Sequence, residues 1–490
     1  MSNGLGDADM SGNTHSVDPA LGRQLLGARS VGNTRARGAA VAILVALALG
    51  WALGQEGPLI PLGLAGLVAA TWLAYRVPVV ASALALLLLG VVAILGMIAH
   101  PIIGLTSLGG EVVTGGAGAR IEDVLMLGML LASMARLATP AGRKLMGRML
   151  YPAVALGVWM VFEVVRNLFA VGFQALGEFR YQYLMVFSIP LSLVLGLSTP
   201  KLVAQALKWF CAVAVGVPLL LIPILLTPGG SIGGGRLFPS HVSLGVLLGL
   251  TVLWRCRSVV RWPRVLLWSA TVLGLIEILF DAHRSVWLAA LAIGFAIMVA
   301  DRKPKRAVQL VVGALLPVGV AILTATYLGI DVLSIVADRS QAALGMQDTA
   351  AWRWYLWVAN LRLFGESPWI GRGLGLYFYN TYIPELGLTV DVFPHNMYVM
   401  ALVHLGSVGL GLLGWLWYST LSHLRSAGRA LAEADKEWGG VVGVGIASLV
   451  AGAAYSVAYG FDPFSLTLVG ICLAVAVRWR QYAGSAGAAT

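Results

Sequence analysis

Residues 78–98 read PVVASALALLLLGVVAILGMI, twenty-one positions without one charged side chain. At 1.5 Å per residue, a helix of that length spans about 30 Å, the hydrocarbon thickness of a bilayer. In hydrocarbon a backbone must satisfy its own hydrogen bonds, so the stretch has to be a membrane helix. Residues 307–328, AVQLVVGALLPVGVAILTATYL, are equally free of charge. Working outward from these two, further apolar runs occupy 39–54, 58–75, 121–137, 149–165, 181–198, 203–227, 239–256, 262–280, 285–301, 395–420, 440–459 and 462–479. The composition agrees: 59% of the 490 residues are hydrophobic and 11% charged, against about 25% charged in soluble domains. Lipid is the solvent this chain expects.

The predicted fold is therefore all-α, a polytopic transmembrane bundle of about 12–14 helices. It divides into a cytoplasmic tail at 1–38, helices 1–11 over 39–328, a large periplasmic loop at 329–394, helices 12–14 over 395–479 and a cytoplasmic tail at 480–490. The Gly-, Ser- and Arg-rich start carries no hydrophobic run of the signal-peptide kind. Counting from a cytoplasmic start, alternation puts 24 of the 33 basic residues inside and nine outside. That bias orients membrane proteins with positive charge in the cytoplasm, and it predicts both termini inside. It also accounts for the net charge of +11 without nucleic acid. All six lysines fall inside, so the nine outside cations are arginines: Arg120, Arg166, Arg180, Arg236, Arg284, Arg339, Arg353, Arg362 and Arg372. Arginine offers a rigid donor fork that matches phosphate. The three cysteines, Cys211, Cys256 and Cys472, sit in or at the ends of apolar runs and are expected to be buried thiols rather than disulfides or metal ligands.

The 66-residue loop at 329–394 is too long for a connector. Within it Asp348–Phe364, DTAAWRWYLWVANLRLF, predicts a helix capped by Asp348 or Thr349, with Trp354, Trp357, Val358, Leu361 and Leu363 as its apolar stripe. A tight turn at Pro368, Gly371, Gly373 and Gly375 follows, and the loop re-enters the membrane at Pro394, His395 and Asn396, ahead of Gly406, Gly409 and Gly411. The GRGLG within it lacks the strand and βαβ context of a dinucleotide site.

This order of elements resembles the O-antigen ligase and O-antigen polymerase superfamily. The resemblance rests on the glycine turn, the His-Asn pair opening a helix, DAHRSVW at 281–287 with Arg284 at a helix head, Arg353 in the loop helix and Arg180 in GEFRYQY. It covers about residues 160–420. It implies a metal-independent glycan transferase of the bacterial inner membrane that needs no cofactor. The donor would be an undecaprenyl-diphosphate-linked glycan and the acceptor a hydroxyl on a glycan or on lipid A-core, with possible partners in a polysaccharide assembly system; polymerase and ligase stay open. Chemically, breaking the glycosidic bond raises negative charge on the diphosphate, which preplaced arginines stabilise, and a histidine can take the acceptor proton near neutral pH. The catalytic candidates are His395, Arg284 and Arg353, and the substrate-binding candidates are Arg180, Arg236, Arg372, Asn396 and His283. His241 lies on the same side. Each has a plainer reading: an interfacial side chain for His395, a helix anchor for Arg284, a cation–π contact with Trp352 and Trp354 for Arg353.

Two further features bear on the site. The loop at 228–236, PGGSIGGGR, precedes a helix with Ser240 as its expected cap and suits either phosphate cradling or simple connection. The pairs Glu163/Arg166 and Glu277/Asp281 are expected to orient the arginines or to line an ion path. That last option belongs to the alternative, a secondary transporter or lipid-linked glycan flippase, which would show two matching halves; none is visible. Topology is directly testable. In a Gln347→Cys variant, an impermeant thiol reagent should label intact cells; labelling confined to inverted membranes would contradict the orientation.

Overall fold

The computed structural model describes residues 59–92, 121–171, 179–220, 238–281, 283–301, 349–374, 381–383, 388–390 and 395–479. The candidate spans at 39–54 and 307–328, both tails, and the loop positions 329–348, 375–380, 384–387 and 391–394 lie outside the described residues. The other twelve apolar runs are helical where they are described. They fall on Leu59–Arg76, Pro78–Leu86 continuing as a π-helix at Leu87–Val92, Ile121–Leu137, Leu150–Val171, Phe179–Leu184 continuing as Met185–Gly196, and Pro200–Cys211 continuing as Ala212–Gly216. Then come Ser240–Arg255, Arg264–Asp281, Arg284–Asp301, Met397–Ala434, Lys436–Tyr455 and Pro463–Ala476. Among the described residues, four helical stretches, Pro140–Phe169, Pro200–Leu220, Met397–Ala434 and Lys436–Tyr455, are long and apolar enough to cross a membrane. Shorter apolar helices accompany them.

Outward faces show what solvates the bundle. On Leu150–Val171, one stripe buries Leu156, Met160, Glu163 and Asn167, while Val154, Val158, Val161, Val165 and Phe169 are exposed on the other. The exposed stripe contains only apolar side chains. A soluble helix would reverse this pattern, with polar residues outward. The core centres on Pro463–Ala476, buried along nearly its whole length and packed against Met185–Gly196, Pro200–Cys211, Ser240–Arg255, Met397–Ala434 and Lys436–Tyr455.

Two expectations need correction, and the large loop, expected to be partly helical, also holds a short strand pair: Thr381–Ile383 runs antiparallel to Leu388–Val390 among otherwise helical elements. The loop helix, Thr349–Glu366, also turns a different face inward. Leu356, Ala359 and Asn360 are its buried positions, whereas Trp354 and Leu361 are exposed. Arg353, Leu356 and Asn360 recur at helical spacing; Trp354 and Leu361 are left for the surrounding medium, while Leu363 packs against the core. Lastly, the helix expected to stop near 420 runs to Ala434. Its charged extension is amphipathic: Leu424, Ala427 and Leu431 are buried while Arg425 and Arg429 are exposed. Hydropathy falls there, but the 3.6-residue period continues.

Met397–Ala434 is two helical pieces rather than one. At Gly406 the backbone swings to φ 68°, ψ −175°, a conformation open to glycine. Breaking a buried helix strands carbonyls on one side and N–H groups on the other. The glycine turn of the loop satisfies both. Arg372 N donates to Val403 O at 2.6 Å and Gly373 N to His404 O at 3.0 Å, while Ser407 N donates to Pro368 O at 2.9 Å and Val408 N to Trp369 O at 3.2 Å. Trp159 Nε1 supplies Leu405 O at 3.0 Å. The two backbones lie so close that a Cβ on Gly406 would stand 2.1 Å from Trp369 O, and one on Gly371 2.5 Å from His404 O. Gly406→Ala should therefore cost about 3 kcal/mol in strain and overpacking, read as a lowered midpoint of thermal unfolding in detergent. Gly411→Ala, whose Cβ meets nothing within 4 Å, serves as the control; equal midpoints for the two variants would contradict the interlock.

Candidate active site

The interlocked turn fixes where the loop helix and the start of the broken helix meet. His395 immediately precedes that helix and adopts φ 47°, the left-handed region that costs a non-glycine residue about 1–2 kcal/mol. Strain of this kind persists where surrounding contacts over-determine a residue. Here they do. Asn396 Oδ1 accepts from Tyr398 N at 3.0 Å and Val399 N at 3.1 Å, capping the helix. Met397 N, next in the chain, donates to Ser456 O at 2.9 Å and Tyr459 O at 3.1 Å. The turn into the helix is thus anchored to the connection at 456–462.

Tyr459 is the meeting point. The His395 ring stands edge-on to it, centroids 5.9 Å apart and planes at 81°. The Arg353 guanidinium carbon lies 5.2 Å from its ring centre. Tyr455 stacks on it at 5.0 Å and 16°, and the Tyr455 hydroxyl is 2.7 Å from Ser240 Oγ. Arg353, on the loop helix, is thereby brought to His395 across forty-two positions of sequence. Burial, and then the neighbouring Arg353 charge, hold the His395 imidazole below the ordinary histidine range, because both disfavour its protonated form.

Asp462 lies three residues beyond Tyr459. It caps Pro463–Ala476, Oδ2 accepting from Ser465 N, and it is 1% exposed. Its Oδ1 is buried without a hydrogen-bond partner, and burial pushes its carboxyl up to about 7.

The other candidates each have a setting of their own. Arg284 opens Arg284–Asp301 with its side chain exposed. His283 is buried, its Nε2 2.9 Å from Phe238 O, so it ties the 283–284 turn to the segment that leads into Ser240–Arg255. Ser240 is not the cap of that helix. Pro239 occupies the cap position without a side-chain bond, and the Ser240 hydroxyl goes to Tyr455 instead. Arg372 is exposed and ion-paired with Glu366; its backbone, rather than its side chain, engages the broken helix. Arg180 is the second residue of the helical turn at Phe179–Leu184, and its side chain lies outside the described residues, as do Arg236 and Gly375. Arg353 finds its aromatic partner in Tyr459 and not in Trp354, which is exposed.

The carboxylates behave as costly intramembrane charges should. Glu163 is buried and pairs with Arg166 at 2.6 Å, and Arg166 Nη2 also donates to Gly371 O at 3.1 Å. The pair therefore grips the glycine turn. Glu277 accepts from Ser243 Oγ at 2.6 Å, and the Asp281 side chain lies outside the described residues. The three cysteines are free and buried.

Sequence reading did not find Tyr455, Tyr459 or Asp462. Asp462-Pro463 carried a helix-start signal of the cap-then-proline kind, but two tyrosines in a short connection have no local signature.

A family model described as Wzy_C, O-Antigen ligase, matches residues 269–414. This match supports the O-antigen ligase/polymerase superfamily. No curated protein matches the chain. The O-antigen ligase segment contains Arg284, Arg353, the glycine turn and His395, while Ser240, Tyr455, Tyr459 and Asp462 lie outside it. The family and the lipid-facing apolar helices together describe a membrane protein of glycan-transferring type.

Proposed function

We propose that the protein is a metal-independent glycan transferase of the bacterial inner membrane. It moves a glycan from undecaprenyl diphosphate to an acceptor hydroxyl at the periplasmic end of the bundle, with both termini in the cytoplasm. The observation that carries this reading is the convergence of Arg353 and His395 on Tyr459. A cation able to take up diphosphate charge and an imidazole able to take a proton stand side by side at one end of apolar helices. In the step itself the acceptor oxygen attacks the anomeric carbon and its proton passes to His395. The glycosidic C–O bond breaks, and its electron pair leaves with the lipid diphosphate. Arg353, with Arg284 at the head of its helix, stabilises that growing charge. Burial, and then the proximity of Arg353, disfavour the protonated form of His395, and the neutral form is the one a general base requires. A repeat-unit polymerase and a ligase to lipid A-core use this same chemistry and differ in acceptor. Lipid-linked glycan extracted from a deletion strain separates them: single repeats accumulate if a polymerase is lost, polymer on carrier if a ligase is lost.

The role of each residue can be measured. His395→Ala should lose about 10²- to 10⁴-fold in rate with the protein still inserted and folded. The wild-type rate should climb with pH as the imidazole deprotonates, along a limb lying below the ordinary histidine pKa of about 6.5, because the folded site disfavours the imidazolium. That limb should vanish in the alanine variant. A near-wild-type His395→Gln enzyme would remove the base assignment. Arg353→Lys and Arg284→Lys keep charge but lose the fork and should both impair transfer; wild-type rates in both would reduce these arginines to helix anchors.

A further inference from the structure

We infer that Tyr459 is a positioning residue that holds Arg353 and His395 in their working relation, so the site is completed from outside the segment that matches the family. The inference rests on the roles proposed above for those two residues. Four contacts meet at this one side chain and its backbone. The Arg353 guanidinium lies over the ring at 5.2 Å, and the His395 imidazole meets it edge-on at 5.9 Å. Tyr455 stacks on it at 5.0 Å. Its carbonyl accepts Met397 N at 3.1 Å, at the head of the broken helix. Tyr455 in turn is fixed by Ser240. A ring face is negative and its edge positive. The face attracts the guanidinium, and the edge-on imidazole is kept against the same ring without displacing it. Neither Arg353 nor His395 has a covalent neighbour that could set their separation. They belong to different elements, and Tyr459 belongs to a third.

A ring that only filled space would make a different prediction from a ring that sets this geometry. With Tyr459 in place, the charge of Arg353 acts on His395 at close range. Other titratable groups at this corner are Tyr455 and Asp462 on the same connection and Tyr398 on the helix that His395 precedes. Removing the ring frees the guanidinium to move away, and the imidazole then becomes easier to protonate.

The test is histidine-selective NMR titration of the full-length protein in detergent, with His395 assigned by loss of its signal in His395→Ala. Tyr459→Leu should raise the His395 titration midpoint towards the ordinary histidine value, and Tyr459→Phe, which keeps the ring, should hold it at the wild-type position. Arg353→Gln should raise it as well. The double variant Tyr459→Leu/Arg353→Gln should move it little further than Tyr459→Leu alone, since both act through one contact. An unchanged midpoint in folded Tyr459→Leu would overturn the inference, and so would additive shifts in the double variant. Transfer by Tyr459→Leu should fall about tenfold or more. The titration does not depend on turnover. A wild-type protein without transfer activity would sink the functional reading, whereas the NMR result alone decides the position of Tyr459.

Discussion

A backbone that breaks inside an apolar bundle must find replacement hydrogen bonds, and the rest of this structure follows from how one break is satisfied. At Gly406 the helix gives up its own ladder. The turn at 368–373 supplies N–H groups to Val403 and His404 and carbonyls to Ser407 and Val408, and Trp159 supplies Leu405. Irregular backbone is tolerated at membrane depth only when it is answered by protein in this way. The arrangement has a mechanical consequence. The short piece at 397–405 becomes a separate element, aimed by the turn rather than by the long helix beyond it. The turn is itself gripped by the Glu163–Arg166 pair. Through these links, the turn at 368–373 is seated against the helix that begins at Met397.

The electrostatics of the site depend on that seating. Burial works against the His395 imidazolium, and the like charge of Arg353 adds to it. For a proton-accepting histidine this is an advantage, because the neutral form is present before substrate arrives. For an anion-binding arginine the neighbouring neutral imidazole imposes no competing charge. Tyr459 separates them without insulating them. Asp462, buried close by with one oxygen unpartnered, adds a carboxyl whose charged form burial disfavours.

Much of this was legible in the sequence, for reasons that can be named. Uncharged runs such as 78–98 announce themselves because water-free backbone has few structural options. The PHN entry and the glycine turn were legible as a pattern, but their purpose was not. Gly371 and Gly406 are thirty-five positions apart, and only a fold that presses them together shows why neither tolerates a side chain. The loop helix was found from its periodicity and then turned the wrong way, because Trp354 and Leu361 looked like core when the surrounding medium is itself apolar. In a membrane, hydrophobicity does not separate inside from outside. The same ambiguity hid Tyr459: a tyrosine near a helix end usually marks the lipid interface, and nothing local to YSVAYGFD tells a belt residue from one that touches a histidine. Ser240 was readable as a helix cap and serves Tyr455 instead, a tertiary demand that overrode a local preference.

The central claim is that the apolar bundle carries a site for group transfer rather than a path for transport. It is tested most directly with purified protein in proteoliposomes given a glycan on polyprenyl diphosphate and a hydroxyl-bearing glycan acceptor in the same leaflet. The account predicts glycan bound to acceptor and free polyprenyl diphosphate appearing in equal amounts, and neither product from vesicles carrying the His395→Ala protein. Movement of intact lipid-linked glycan between leaflets, with no change in its covalent linkage, would contradict it.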